Sequence, residues 1–303
     1  MMKQFRYRGA AGLLCIFLLS ASLSGCGAKY EKITLPELDP TETAAEYEEI
    51  EESIELEDLD GEAAADESAV ANISVQENVR TRTSQQEAGI EKVWNGHIVA
   101  VDAGHQAKPN LEKEPVGPGS ETMKAKVEAG STGIVSGLPE HKLTLQVAQK
   151  VKARLEEEGY RVVMIRESGD VNVSNAERAR IANESGADIL VKLHANSLDT
   201  TSVHGTLSMC QTAKNPYNGS LHSQSYQLSK KLTDAVCLAT GFKNRGVQET
   251  DTMSGINWCQ IPVSLVEMGF MSNPEEDRKM AQEEYQELIA GGIVSGIDAY
   301  FAN

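Results

Sequence analysis

From residue 94 onward, apolar positions recur in short blocks separated by Gly and polar clusters, and their period alternates between strand and helix. "HIVAVDAGH" is a β-branched run closing on a Gly turn, which predicts a strand followed by a loop. "KLTLQVAQKVKARLEEEG" sets Leu143, Val147, Val151 and Leu155 at helical spacing and stops at Gly159. "YRVVMIRE" predicts a short strand. "SNAERARIANESG" opens with Ser174 and Glu177, the two halves of a capping box, so a helix begins there. "ADILVKLHANS" predicts a buried strand with a polar tip, "HGTLSMC" another strand, and "LHSQSYQLSKKLTDAVCLATG" an amphipathic helix. "IPVSLVEMG" is the last strongly apolar strand and "EEYQELIAGGIVSGIDAYF" the closing helix.

Strands alternating with helices predict an α/β fold: a three-layer sandwich with a mainly parallel, twisted sheet and helices on both faces. Ligands of such folds bind beyond the carboxyl ends of the strands. Asp102 to His105, His194 to Ser197 and Glu267 all fall at or near such ends. Glu267 is the odd member, a carboxylate inside the apolar run "IPVSLVEMGFMSN", where burial is costly unless something pairs with it.

The first residues carry a different pattern. Lys3, Arg6 and Arg8 precede "GLLCIFLLSASL", an apolar stretch too short for a comfortable membrane span. The "LSGC" that follows, Leu23 to Cys26, resembles the lipobox of bacterial lipoproteins. That resemblance implies removal of residues 1–25 and lipid attachment at Cys26; the alternative is an ordinary signal peptide that contains a Cys. A lipid there anchors the chain to a membrane without spanning it, on the outer face of the bacterial cytoplasmic membrane.

Charge sharpens the domain boundaries. Of the formal net charge of −17, residues 31–67 hold −15, from sixteen acidic residues and one Lys. With little apolar content, residues 26–93 read as a solvated, self-repelling tether, spanning on the order of 40 Å as a flexible coil. Residues 94–303 are left as a single folded domain. No basic stripe is present, so nucleic acid is not an expected partner. Beyond Cys15 and Cys26, the three widely spaced cysteines Cys210, Cys237 and Cys259 fit neither a disulfide framework nor a thiolate metal site.

Two of the six histidines, His105 and His194, directly follow strands with carboxylates nearby. Catalytic zinc sites use three His, Asp or Glu ligands and keep a fourth position open, and a further carboxylate moves the protons. Spacing alone does not say which acidic residue completes such a site.

The ordered motifs "VAVDAGH", "GLPEHKLTLQVA", "VNVSNAERARIAN", "VKLHANS", "MSGINW" and "PVSLVEMGFMSNPEED" resemble the zinc-dependent N-acetylmuramoyl-L-alanine amidases of the Amidase_3 family, over residues 96–303. The resemblance implies one Zn2+ per chain, held by His105, Glu140 and His194, with Glu267 as the catalytic glutamate. It implies cleavage of the amide between N-acetylmuramic acid and L-alanine, with peptidoglycan as the partner. The rival functions are a catalytically silent peptidoglycan-binding lipoprotein and a zinc peptidase or deacetylase acting on the wall.

The loop after His105 departs from the commonest family pattern. Residues 106–133 form a longer insertion, resembling a clostridial subgroup, and its Glu112, Glu114, Glu121 and Glu128 compete with Glu140 as ligands. Asp102 is expected either to accept the second ring N–H of His105 or to cap the turn. Asn196 and Ser197 either meet substrate or form a turn. Arg245, Asp251 and the loop with Trp258 are expected to line the peptide side of a groove. His97, His141 and His222 are expected at the surface, and His204 is a further candidate for the cleft.

Overall fold

The computed structural model describes residues 93–302. The signal sequence, Cys26 and all but the last residue of the acidic tether lie outside the described residues.

Six strands form the central sheet: β1 (Ile98–Ala103), β4 (Arg161–Met164), β5 (Ile189–Asn196), β6 (Thr206–Cys210), β7 (Asn244–Glu249) and β8 (Val263–Phe270), in the order β4-β1-β5-β8-β6-β7. β4, β1, β5 and β8 run parallel, β6 is antiparallel to β8, and β7 is parallel to β6. The sheet is therefore mixed but mostly parallel, as the alternating pattern predicts.

The two periods of the sequence explain how the layers close. On one face, Val99, Val101, Val191, Leu193, Val266 and Met268 meet α1 (Glu140–Glu157), α3 (His222–Thr240) and α6 (Glu283–Phe301) in the larger apolar cluster. Leu143, Val147, Val151 and Leu155 of α1 are all buried there. Full burial of each such side chain is worth roughly 1.5–3 kcal/mol. α3 and α6 approach closely because Gly292 and Gly296 carry no side chain; a Cβ would lie 2.7 Å from the Val236 Cα and 2.8 Å from the Leu232 Cα, respectively. On the opposite face, Ala100, Leu190 and Leu265 pack with Ala179 and Ala182 of α2 (Asn175–Glu184) and Ile256 of α4 (Ser254–Asn257). α2 begins with the predicted capping box: Ser174 accepts from the Glu177 N–H and Glu177 accepts from the Ser174 N–H.

Five elements add to the predicted set. Residues 106–133 contain an antiparallel hairpin, β2 (Asn110–Pro115) with β3 (Met123–Val127). β7 lies at the sheet edge where a loop was expected, and α4 and α5 (Pro274–Met280) flank β8. The strong apolar strands at the centre of the sheet bring the ends of β1, β5 and β8 side by side, and the polar residues gather there.

Candidate metal centre

The β1 ladder continues one residue past the strand, where the Gly104 N–H donates to the Leu193 carbonyl at 2.9 Å. A Cβ on Gly104 would lie 2.4 Å from Cε1 and 2.5 Å from Nε2 of His194, so the missing side chain makes room for that ring. The next residue, His105, is the only non-glycine with positive φ (59°) among the described residues. This left-handed turn is uncommon for a residue with a Cβ. It directs the imidazole toward Glu140, with Nε2 3.2 Å from Oε1. The other ring nitrogen, Nδ1, lies 3.0 Å from the Glu128 carbonyl just past β3. A carbonyl only accepts, so Nδ1 carries a proton, and Nε2 is the ring nitrogen turned toward Glu140.

His194, near the end of β5, brings Nδ1 to 3.1 Å from the same Glu140 oxygen. The two rings stand edge to face, 4.8 Å apart. Glu140 opens α1, where the helix dipole favours a carboxylate. Its Oε1 also accepts from the Ala195 N–H at 3.1 Å and its Oε2 from the Ser131 N–H at 2.8 Å. Ligand atoms of His105, Glu140 and His194 all lie within 4.8 Å of one another, and among the described residues no other such group of His, Cys, Asp and Glu forms. Two imidazoles and one carboxylate on three separate elements suit a zinc site that keeps a position open.

Glu267 sits on β8 directly opposite His194 of β5. It is buried, and among the described residues its Oε2 has no hydrogen-bond partner. Burial, with the Glu140 charge adding to it, pushes its carboxyl well above the ordinary range. Glu140 behaves oppositely: burial alone would raise its pKa, but hydrogen bonds from His105 and His194 hold it well below the ordinary value. Burial lowers the pKa of His194, whereas for His105 the Glu140 contact outweighs burial and raises it. An unpartnered buried carboxyl oxygen beside a convergent His-Glu-His set is what a resident divalent cation would relieve.

The Amidase_3 family, N-acetylmuramoyl-L-alanine amidase, matches residues 99–299. The chain belongs to this family. An uncharacterized protein of Bacillus subtilis, YqiI, is 32% identical over 68% of the chain and 85% of its own length. The N-acetylmuramoyl-L-alanine amidase Rv3717 of Mycobacterium tuberculosis is 27% identical over 68% of the chain and 87% of its own. Among solved structures, the amidase Ami1 of Mycobacterium smegmatis superposes with a TM-score of 0.63 at 26% identity, covering 69% of this chain and 99% of its own. An N-acetylmuramoyl-L-alanine amidase of Clostridium difficile gives 0.57 at 26% identity, covering 69% and 98%.

Within this amidase fold, several residues singled out in the sequence take other parts. Asp102 neither meets the His105 ring nor caps the turn; it is fully buried and paired with Arg178 at 2.7 Å and with Lys192. The carbonyl of Glu128 takes the place beside the His105 ring that was expected for Asp102. Of the insertion's acidic residues, Glu112 pairs with Lys126 and Glu114 accepts from the Ala176 N–H at the start of α2. None of the four joins the His-Glu-His group. The Asn196 side chain accepts from the Ser197 N–H, which is a turn contact.

Asp251 braces a loop through Thr212 and Asn215, and Arg245 donates to the His204 carbonyl at 3.2 Å. The Trp258 indole donates to the Pro115 carbonyl at 2.9 Å and packs against the smaller apolar cluster, so it ties down the hairpin. His97, His141 and His222 are half-buried rather than exposed, and His204 is exposed with Nδ1 3.1 Å from the Ser202 carbonyl. Cys210, Cys237 and Cys259 are free thiols.

Two residues that the sequence pattern leaves unmarked hold the site from behind. Arg178 donates to the Ala103 and His105 carbonyls at 2.9 and 2.8 Å. Arg166 donates to those of Ala103 and Gly104 at 2.7 and 2.9 Å. Burial, with the Arg178 charge adding to it, pulls the Arg166 guanidinium down to about 10. The available signal is position: Arg166 follows β4 and Arg178 sits one turn into a capped helix, both next to the carboxyl end of β1.

Proposed function

We propose that this chain is a zinc-dependent, lipid-anchored N-acetylmuramoyl-L-alanine amidase that cuts peptidoglycan between N-acetylmuramic acid and L-alanine. The observation that carries the reading is the convergence of His105, Glu140 and His194 beside the buried, unpartnered Glu267 carboxyl. Family membership supplies the substrate class. His105, Glu140 and His194 are the residues that would hold one zinc per chain. Bound zinc supplies Lewis acidity toward the scissile carbonyl and brings the pKa of a water ligand to about 7.

The remaining chemistry belongs to the chain. Glu267 takes the proton of the attacking water on its free Oε2 and returns it to the departing L-alanine nitrogen. A carboxyl whose proton affinity is raised by burial is suited to that transfer near neutral pH. The Glu128 carbonyl fixes the His105 ring, so Nε2 is the nitrogen that would face the metal.

The anchor and location rest on the sequence. "LSGC" directly after the apolar leader supports lipidation of Cys26, which would hold the domain on the outer face of the bacterial cytoplasmic membrane, facing the wall. The acidic tether would set its reach. A Cys26→Ser chain recovered in the membrane fraction like the parent contradicts the anchor.

Mass spectrometry of digested muropeptides tests the reaction. Intact stem peptides with free L-alanine, peptide-free glycans, and loss of both on chelation are expected. Cuts within the stem peptide or loss of acetyl groups would point to a zinc peptidase or deacetylase. Sacculus binding without any product would point to a silent wall-binding protein.

A further inference from the structure

Arg166 is 3% exposed, and among the described residues no carboxylate pairs with it. Its donors go to carbonyls and a hydroxyl instead. Nε donates to Ala103 O at 2.7 Å and Nη1 to Ser168 O at 3.0 Å. Nη2 is shared among Gly104 O at 2.9 Å, His141 O at 2.8 Å and Thr144 Oγ1 at 3.2 Å. A buried cation without a counter-ion is expensive, and what offsets its burial here is hydrogen bonds to carbonyls and one hydroxyl. Side-chain burial alone therefore does not explain why this position carries a guanidinium.

The partners suggest what does. Ala103 and Gly104 are the two residues before His105, and His141 is the residue after Glu140. Thr144 sits one turn further along α1 and donates to the same Gly104 carbonyl at 2.8 Å. One planar fork thus joins the strand end that presents His105 to the helix start that presents Glu140. Those two segments are 35 residues apart in sequence and are separated by the hairpin insertion. Across them, His105 Nε2 and Glu140 Oε1 stand 3.2 Å apart, with His105 held in its left-handed turn. Arg178 holds the His105 carbonyl from the other side at 2.8 Å, but it has Asp102 as its counter-ion and reaches nothing on α1.

We propose that Arg166 is a positioning residue for the metal centre: it sets the spacing between the His105 turn and the Glu140 helix start. The inference rests on the zinc reading above. Lys is no substitute, because an ammonium cannot present several coplanar donors in a fixed fork.

The test is zinc affinity of the full chain, measured by competition with a chromophoric chelator, alongside the melting temperature of the metal-free protein. The Co2+ absorption spectrum reports ligand geometry without reference to activity. Arg166→Met is expected to weaken zinc binding by about 10–100-fold, the usual scale for residues that orient metal ligands, in a chain whose metal-free melting curve shows it folded. Arg166→Lys is expected to recover only part of that loss, and both variants to alter the Co2+ spectrum. Thr144→Val, a milder lesion of the same joint, should weaken zinc binding a few-fold. Val236→Ala, a core cavity on α3, should lower the melting temperature and leave zinc affinity unchanged.

A folded Arg166→Met chain that binds zinc within twofold of the parent overturns the inference. If Arg166→Met does not fold, unchanged zinc affinity in Thr144→Val overturns it instead. A parent chain that binds no zinc overturns the metal reading first and this inference with it.

Discussion

Asp102 and Glu267 flank β5 from opposite sides, on the same face of the sheet, and both are buried. Asp102 on β1 stands opposite Lys192, and Glu267 on β8 stands opposite His194. Asp102 is paired with two cations, Arg178 and Lys192, which overcome the effect of burial and hold its carboxyl well below the ordinary range. Among the described residues Glu267 pairs with no cation and its Oε2 has no hydrogen-bond partner, and its carboxyl is driven the other way. Two carboxylates at similar depth in one sheet thus have opposite proton affinities. The contrast separates a carboxylate paired within the scaffold from one left without a cation among the described residues.

Removing the compensated carboxylate should have the largest effect on folding. Asp102→Ala leaves Arg178 and Lys192 buried without their shared counter-ion, and about 3–5 kcal/mol of stability should be lost in denaturant unfolding. A loss below about 1 kcal/mol would mean that the cluster is not structural. Zinc comes next. At a free concentration one hundred times its dissociation constant, it should raise the stability of the parent by about 2.7 kcal/mol, and that gain should vanish in His105→Ala and His194→Ala. Equal gains in all three chains would place the metal elsewhere.

The two carboxylates should also leave opposite pH signatures in the metal-free protein. Asp102 has a depressed folded pKa, so its contribution is present above the unfolded value near 3.8 and is lost as pH falls toward the folded one. Glu267 has a raised folded pKa, so its contribution is present below about 4.5 and is lost as pH rises through the folded one. Stability of the parent minus that of Glu267→Gln should therefore fall with rising pH, by at most about 1.4 kcal/mol per pH unit. A difference that is flat or rises with pH would remove the contrast. Trp258→Phe should have the smallest effect, about 0.5–1.5 kcal/mol, from loss of the indole bond to the Pro115 carbonyl. It should leave zinc affinity intact, since Trp258 touches the hairpin and not the ligands.

What the sequence shows plainly is what one period or one motif carries. β1, β5 and β8 are apolar runs, α1 is a helix with a buried stripe, and Ser174 with Glu177 marks the start of α2. The hairpin escapes because "NLEKEP" of β2 alternates charge with charge and buries little, so no period-2 apolar signal survives. β7, "NRGVQE", is an edge strand with Gly246 at φ 75° and carries no buried residue. Edge strands of this kind are polar because unpaired edges invite association.

The site divides in the same way. His105, Glu140, His194 and Glu267 stand in recognisable motifs, and the fold brings the first three within reach of one another. The partners that orient them were hidden. Arg166 and Arg178 look like surface cations in sequence, and a backbone carbonyl such as that of Glu128 leaves no trace in residue type. Asp102 misled for a related reason, since its three-residue spacing from His105 suggested a contact that two distant cations had already claimed.

The central claim is that Glu267 moves protons while the other three residues hold the metal. Glu267→Gln, purified and loaded with zinc, tests it most directly when metal content and muropeptide cleavage are measured on the same sample. The account predicts about one zinc per chain, unchanged folding, and a loss of amide cleavage of about 10²–10⁴-fold. A Glu267→Gln chain that keeps its zinc and cleaves at the parent rate would contradict it.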